Sequence, residues 1–254
     1  MSQATALFEK WVTTFTPSPH SEVRLVCFPH AGGSASFFFP VARALAPRIE
    51  VLAVQYPGRQ MRRIEPGIQD IGQFAEQIFA ALRGLDDKPL ALFGHSMGAV
   101  LAYEVALRMR RAALPSPVRL VASGRRAPSR YRDERVHTGT DQQIVAEIKA
   151  LSGPNQAVLA DPEMLAMILP AIRSDYTAIE RYKHDPDGEL DCPISAFVGE
   201  DDPRASLDEA RAWAEHTTGP FELEVFPGDH FYLVGQSARV LDRLAAKLLP
   251  GSVA

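Results

Sequence analysis

Three residues carry the strongest chemical signal in this sequence. Ser96 lies in Gly94-His95-Ser96-Met97-Gly98, Asp202 in Val198-Gly199-Glu200-Asp201-Asp202-Pro203, and His230 in Pro227-Gly228-Asp229-His230-Phe231. A free hydroxyl is a poor nucleophile at neutral pH, so a reactive serine needs a base. The base in turn needs an acid that orients the imidazole and stabilises its charged form. The order serine, acid, histidine along a chain is one of the known arrangements for acyl transfer. The Ser96 run fits G-x-S-x-G, with a strand-like apolar stretch at 90–93 before it and a helix-compatible stretch at 99–105 after it. A serine on such a strand-to-helix turn projects its hydroxyl from the top of a sheet, and the following helix points its positive end at the reacting group.

The choice of base and acid follows from chain order. Of the seven histidines, His95 adjoins the nucleophile and reads as a turn residue with a structural hydrogen bond. His137, His184 and His216 read as exposed. His230 follows the last candidate strand in a glycine-containing loop, where this order places the base. Glu200, Asp201 and Asp202 are adjacent; Asp202 is favoured because it precedes a proline that fixes the loop, with Asp201 next. Asp229 neighbours His230 in the chain and is poorly placed to face it. The reaction also develops charge on a carbonyl oxygen, which needs pre-positioned N–H donors. Met97 supplies one candidate amide. Ala31, in Phe28-Pro29-His30-Ala31-Gly32-Gly33-Ser34, supplies the other.

The elements that must position these groups are legible as apolar runs. Strands are expected at 23–28, 51–55, 90–93, 118–123, 194–198 and 223–226, and helices at 37–46, 71–82, 99–109, 207–215 and 238–249. This alternation predicts an α/β fold, a doubly wound, mostly parallel sheet with helices on both faces and its site at the carboxyl ends of the strands. Residues 125–190 break the rhythm. Helical patterns at 141–151 and 161–183, separated by Gly153-Pro154, predict a helical lid insertion within a single domain spanning 1–254.

Composition narrows the function classes. The net charge of −4 offers no basic field for nucleic acid. There is no secretory leader pattern and no apolar run long enough to span a bilayer, so a cytoplasmic location is expected. Cys27 and Cys192 read as buried thiols rather than a disulfide framework. No dinucleotide or phosphate-loop fingerprint and no zinc-type cluster is present, so neither cofactor nor metal is expected. Arg125, Arg126, Arg130, Arg132 and Arg135 cluster at the start of the insertion. They read either as a docking patch for an acidic partner, with Arg125 and Arg126 as its centre, or as a loop with internal ion pairs. Apolar residues Leu165, Met167, Ile168, Leu169 and Ile172 read as helix packing first and acyl contact second.

Taken together, these segments resemble the type II thioesterases of polyketide and nonribosomal peptide synthesis, within the α/β-hydrolase superfamily. The resemblance rests on 28–35, Tyr56-Pro57-Gly58-Arg59, 93–99, Ser123-Gly124-Arg125-Arg126-Ala127-Pro128, 169–176 and Gly228-Asp229-His230-Phe231, in order along nearly the whole chain. It implies Ser96 as nucleophile, Asp202 as acid, His230 as base, and an oxyanion hole from the Ala31 and Met97 amides. It also implies the substrate: an acyl group in thioester linkage to the phosphopantetheine arm of an acyl or peptidyl carrier protein. Hydrolysis of free acyl-coenzyme A or small esters, transfer to an acceptor other than water, and a non-catalytic scaffold that binds carrier proteins are the rival readings.

Overall fold

The structure, a computed structural model, describes residues 3–151 and 161–249. Among the described residues seven strands form one sheet: β1 (Val12–Thr14), β2 (Val23–Phe28), β3 (Ile49–Val54), β4 (Leu90–His95), β5 (Arg119–Ser123), β6 (Ile194–Gly199) and β7 (Phe221–Phe226). Their spatial order is β1-β3-β2-β4-β5-β6-β7. Only β1 runs antiparallel, against β3; every other neighbouring pair is parallel. β2, β3, β4 and β6 are buried along their full length, as expected of strands covered on both faces.

Helices α3 (Ile71–Leu82) and α4 (Met97–Arg111) pack one face of the sheet together with α1 (Gln3–Trp11). Helices α2 (Phe39–Leu45) and α9 (Ser237–Leu248) cover the other. Between β5 and β6 lie α5 (Asp141–Ala150) and α6 (Pro162–Arg181), the second carrying Pro170 in its interior. Gly153-Pro154 falls outside the described residues. Short helices α7 (Leu207–Arg211) and α8 (Tyr232–Gly235) complete the set.

The α/β expectation holds, with differences at the ends of elements. β3 begins two residues earlier than expected, because Glu50 is a strand residue whose charge is met by Arg24, 2.8 Å away. β7 begins earlier because it is the sheet edge, where Glu222 and Glu224 alternate outward and pair with Lys247 and Arg243 of α9. The expected helix at 37–46 is a 3₁₀ turn over Ala35–Phe38 followed by α2, and that at 207–215 is α7 followed by a 3₁₀ segment over Ala212–His216. α1 and the three-residue β1 are too short to give a periodic signal.

One feature of the topology positions the site. The chain builds β3 on one side of β2 and then β4 on the other, so the connections diverge between β2 and β4. Loops leaving the carboxyl ends of two such strands border a crevice. Here they are 29–34 after β2 and 96 after β4, with Phe28 directly opposite Gly94 in the ladder.

Candidate active site

Ser96 occupies the turn between β4 and α4 with φ 56° and ψ −117°, a region that non-glycine residues seldom adopt. Its N–H donates to the Ser123 carbonyl (2.8 Å) and its carbonyl accepts from the Ala99 N–H (3.0 Å). The flanking glycines are steric necessities. A Cβ on Gly94 would lie 2.1 Å from the Gly98 carbonyl oxygen, and one on Gly98 would lie 2.0 Å from the Phe28 carbonyl oxygen. The sharp turn therefore presses α4 against the end of β2, and brings the amide of Met97 beside the loop that begins at Pro29.

His230 follows β7 and is almost fully buried. Its Nδ1 is 2.9 Å from each carboxylate oxygen of Asp202. Asp202 Oδ1 also accepts from the Arg204 N–H at 2.8 Å. With Nδ1 committed as donor, Nε2 is the ring atom left to accept a proton. The choice between adjacent acids is resolved geometrically: Asp202 is buried against His230, whereas Glu200 and Asp201 are exposed. Asp229 instead accepts from the Phe231 N–H at 2.9 Å. No hydrogen bond joins His230 to the Ser96 hydroxyl among the described residues. The neighbouring His95 ring lies 5.0 Å from that of His230, centre to centre.

His95 and His30 surround the pair as neutral rings. His95 is fully buried, with Nδ1 3.0 Å from Ser123 Oγ, which is itself 2.6 Å from the Tyr232 hydroxyl. Burial, then the positive field of His230, holds His95 far below the usual imidazole range. Burial pushes His30 down to about 3, helped by His230 and Arg59, and its ring is wedged edge-on against Phe37 and Phe231, 4.9 Å from each. His230 alone of the three has a carboxylate partner.

The loop carrying Ala31 is bound from several directions. The Tyr56 hydroxyl donates to the Pro29 carbonyl (3.0 Å), and Arg59 Nη1 donates to the Gly33 carbonyl (3.1 Å). The Gly32 N–H donates to Asp175 Oδ2 on α6 at 2.7 Å. Arg59 Nη2 donates to both Asp175 oxygens at 2.8 Å. Burial raises the Asp175 carboxyl, opposed by Arg59 and the Gly32 amide. Neither Arg59 nor Asp175 was predicted as a site residue. The available signal was Asp175 itself, a carboxylate on the apolar side of a helix, which demands a buried partner.

Beside this loop and Phe231 opens a cavity of about 560 Å³, walled on its far side by Met164, Met167, Ile168, Ile172 and Tyr176 of α6. Leu169 packs in a small apolar cluster with Ile144 of α5 instead, and Leu165 lies against the same cluster.

Two expectations are corrected. Arg126 is buried, its guanidinium bonded to both oxygens of Glu134, so it is no exposed docking cation. Arg125 is partly buried, its Nε has no hydrogen-bond partner among the described residues, and burial followed by Arg126 pushes it down to about 9. Arg130 and Arg132 pair with Glu215 and Glu209, and Arg135 with Asp133, so these three charges are met within the protein. His216, expected to be exposed, is buried between Ser129 and Tyr103, and burial lowers it to about 4. His137 is half-buried against Glu180, and His184 is also half-buried.

Known proteins resemble this chain in sequence and fold. The thioesterase domain family model matches residues 23–248. Thioesterase PikA5 of Streptomyces venezuelae is 46% identical over 94% of this chain and 85% of its own length. The probable cadicidin biosynthesis thioesterase of Streptomyces griseus is 49% identical over 96% of this chain and 68% of its own. The solved structure of the type II thioesterase BorB from the borrelidin biosynthetic cluster superposes with a TM-score of 0.88 at 49% identity, covering 94% of this chain and 98% of that one. The chain belongs to the thioesterase family: it is a type II thioesterase, a thioester hydrolase on the α/β-hydrolase fold.

Proposed function

We propose that this enzyme hydrolyses acyl thioesters on the phosphopantetheine arm of acyl or peptidyl carrier proteins, clearing stalled or aberrant acyl groups in polyketide or nonribosomal peptide synthesis. The observations that carry the chemistry are the buried Asp202–His230 pair and a serine held in a strained strand-to-helix turn. The kinship with thioesterases of biosynthetic clusters supports the carrier-bound substrate.

In this reading His230 Nε2 takes the Ser96 hydroxyl proton as Oγ attacks the thioester carbonyl carbon. The carbonyl oxygen becomes an oxyanion held by the Ala31 and Met97 amides. The Met97 N–H has no acceptor within α4, being at its first position. One such donor is worth about 2.7–4 kcal/mol of barrier. The C–S bond then breaks, the sulfur leaves with the proton from His230, and an acyl ester remains on Ser96. Water, deprotonated by His230, attacks that ester and releases the acid, returning the proton to Oγ. The cavity beside the Ala31 loop accepts the acyl chain, and residues 125–190 act as a helical lid on one domain. The enzyme works in the cytoplasm, where its carrier proteins are found; no helix among the described residues is long and apolar enough to cross a membrane. With Arg126 and its neighbours paired internally, Arg125 is the remaining candidate of the expected docking patch.

The test is mass spectrometry of one acyl group presented on a carrier protein, on coenzyme A and as a simple ester. Loss of the acyl mass from the carrier, fastest of the three and absent with Ser96→Ala, is expected. A carrier that keeps its acyl group while coenzyme A or ester is cleaved would reject the carrier-bound substrate.

A further inference from the structure

The α6 helix touches the Ala31 loop through more than apolar packing. Asp175 is fully buried, and among the described residues its carboxylate accepts hydrogen bonds from two partners, the Gly32 amide and the Arg59 guanidinium. Arg59 closes the circuit by donating to the Gly33 carbonyl. Asp175 thus holds the Ala31–Gly32 peptide directly, and through Arg59 it is linked to the carbonyl of the Gly33–Ser34 peptide, two residues further along the loop. The fit is close on both loops. Gly32 has φ +76°, and a Cβ there would lie 2.8 Å from Ile172 Cγ1. Gly58 has φ +82°, and a Cβ there would lie 3.2 Å from the Ala171 Cβ. Ala171, Ile172 and Asp175 share one side of α6, three and four residues apart. That side is seated on the 29–34 loop and on the 56–59 loop together.

A buried charge is tolerated only when paired and hydrogen-bonded. If α6 moved away, Asp175 would leave with it, Arg59 would lose its carboxylate partner, and the Gly32 amide would lose its acceptor. Amide direction along three consecutive residues is coupled through the backbone, so the Ala31 N–H would lose its aim. We propose that Asp175, acting through Arg59 and the Gly32 amide, is a positioning residue for the oxyanion loop, so that the loop is competent only while α6 is seated on it. The inference rests on the hydrolase reading above. It makes α6 both the wall of the acyl cavity and the support of the charge-stabilising loop, so seating of the helix on an occupied cavity would set the loop for reaction.

The test uses the full chain and an acyl thioester of N-acetylcysteamine, with an alkyl boronic acid as a probe of the tetrahedral state. Asp175→Asn keeps shape but removes the charge. Its kcat is expected to fall about 10²-fold, the scale of one lost oxyanion donor, with KM within about threefold. The boronic acid should weaken by the same factor as kcat, because it reports transition-state complementarity. A purely structural role would lower the fraction of competent enzyme, counted by phosphonate titration of Ser96, and leave the boronic acid unchanged. The double variant Arg59→Met, Asp175→Leu replaces the buried pair by apolar groups and should retain its thermal midpoint while kcat stays low. Full kcat in the double variant, or an unchanged boronic acid affinity in Asp175→Asn, overturns the proposal. An inactive wild type would overturn the hydrolase reading and this inference with it, whereas an active wild type matched by Asp175→Asn overturns this inference alone.

Discussion

Asp202 presents both carboxylate oxygens to one nitrogen of His230, each at 2.9 Å, while the adjacent Asp201 points to solvent. The pair fixes which imidazole nitrogen can act as base. Asp202→Asn preserves volume but offers an N–H where an acceptor is needed, and so favours the wrong tautomer. We expect kcat to fall about 10³–10⁴-fold, against a change within about threefold for Asp201→Asn. Thioester turnover by both variants at several pH values checks this; equal losses would remove Asp202 from its role.

The backbone at Ser96 should be a measurable reservoir of strain. Residues held in sparsely populated backbone regions cost about 1–3 kcal/mol. Ser96→Gly is expected to abolish turnover and yet gain about 1 kcal/mol in stability, after the greater flexibility of glycine in the unfolded chain is subtracted. Ser96→Ala should abolish turnover with no such gain, because alanine keeps the strain. Urea unfolding of the three proteins decides the point, and equal midpoints for the two variants would deny the strain.

Acid sensitivity should follow from the buried histidines. Burial lowers His216 from 6.5 to about 4, and His30 to about 3. The unfolded chain binds their protons first, so the stability they contribute is complete above about pH 6.5 and is lost as pH falls towards 4 and then 3. Each histidine adds a slope of about 1.4 kcal/mol per pH unit inside its window. His216→Gln should flatten the dependence of the unfolding free energy on pH between 6.5 and 4. A profile identical to wild type would show that this histidine does not contribute.

Charge reversal at Arg126 should act on folding rather than on docking. Its guanidinium is 2.5 Å from Glu134 in a pair whose cationic half is buried, and removing one partner of a fully buried pair costs about 3–5 kcal/mol, an upper bound here. Arg126→Glu is expected to lower the thermal midpoint steeply. Arg135→Glu, at an exposed pair with Asp133, should move it little. If instead Arg126→Glu melts like wild type but raises KM for the acylated carrier alone, the docking role returns.

How much of this was readable from the sequence depends on how local each cause is. The Ser96 turn, the Ala31 loop and His230 each sit in short segments whose glycines and flanking apolar runs are diagnostic by themselves. Asp202 needed the further clue of Pro203 and was separated from Asp201 only by burial. Arg59 and Asp175 are 116 residues apart, and nothing local announces that they meet. Arg126 looked like surface because a run of arginines reads as solvated, and its acid, Glu134, comes eight residues later in the insertion. His216 was misplaced for the same reason: its partners, Ser129 and Tyr103, come from distant segments. Local geometry is written in neighbours, whereas burial of charge is written in the tertiary pairing.

The ladder between β2 and β4 has a further consequence. The Ala31 loop and the Ser96 turn leave two adjacent parallel strands, in a register that sets Phe28 against Gly94. Strand spacing is about 4.8 Å and the rise about 3.3 Å per residue. Slipping the pair by one residue would carry the two loops apart by most of a bond-forming distance and turn every side chain to the opposite face. The sheet therefore serves as a ruler that evolution or design cannot adjust in small steps. Under the proposed function, changes in the accepted acyl group fall to the residues of α6 that wall the cavity, and any exchange of that helix has to carry a carboxylate able to meet Arg59.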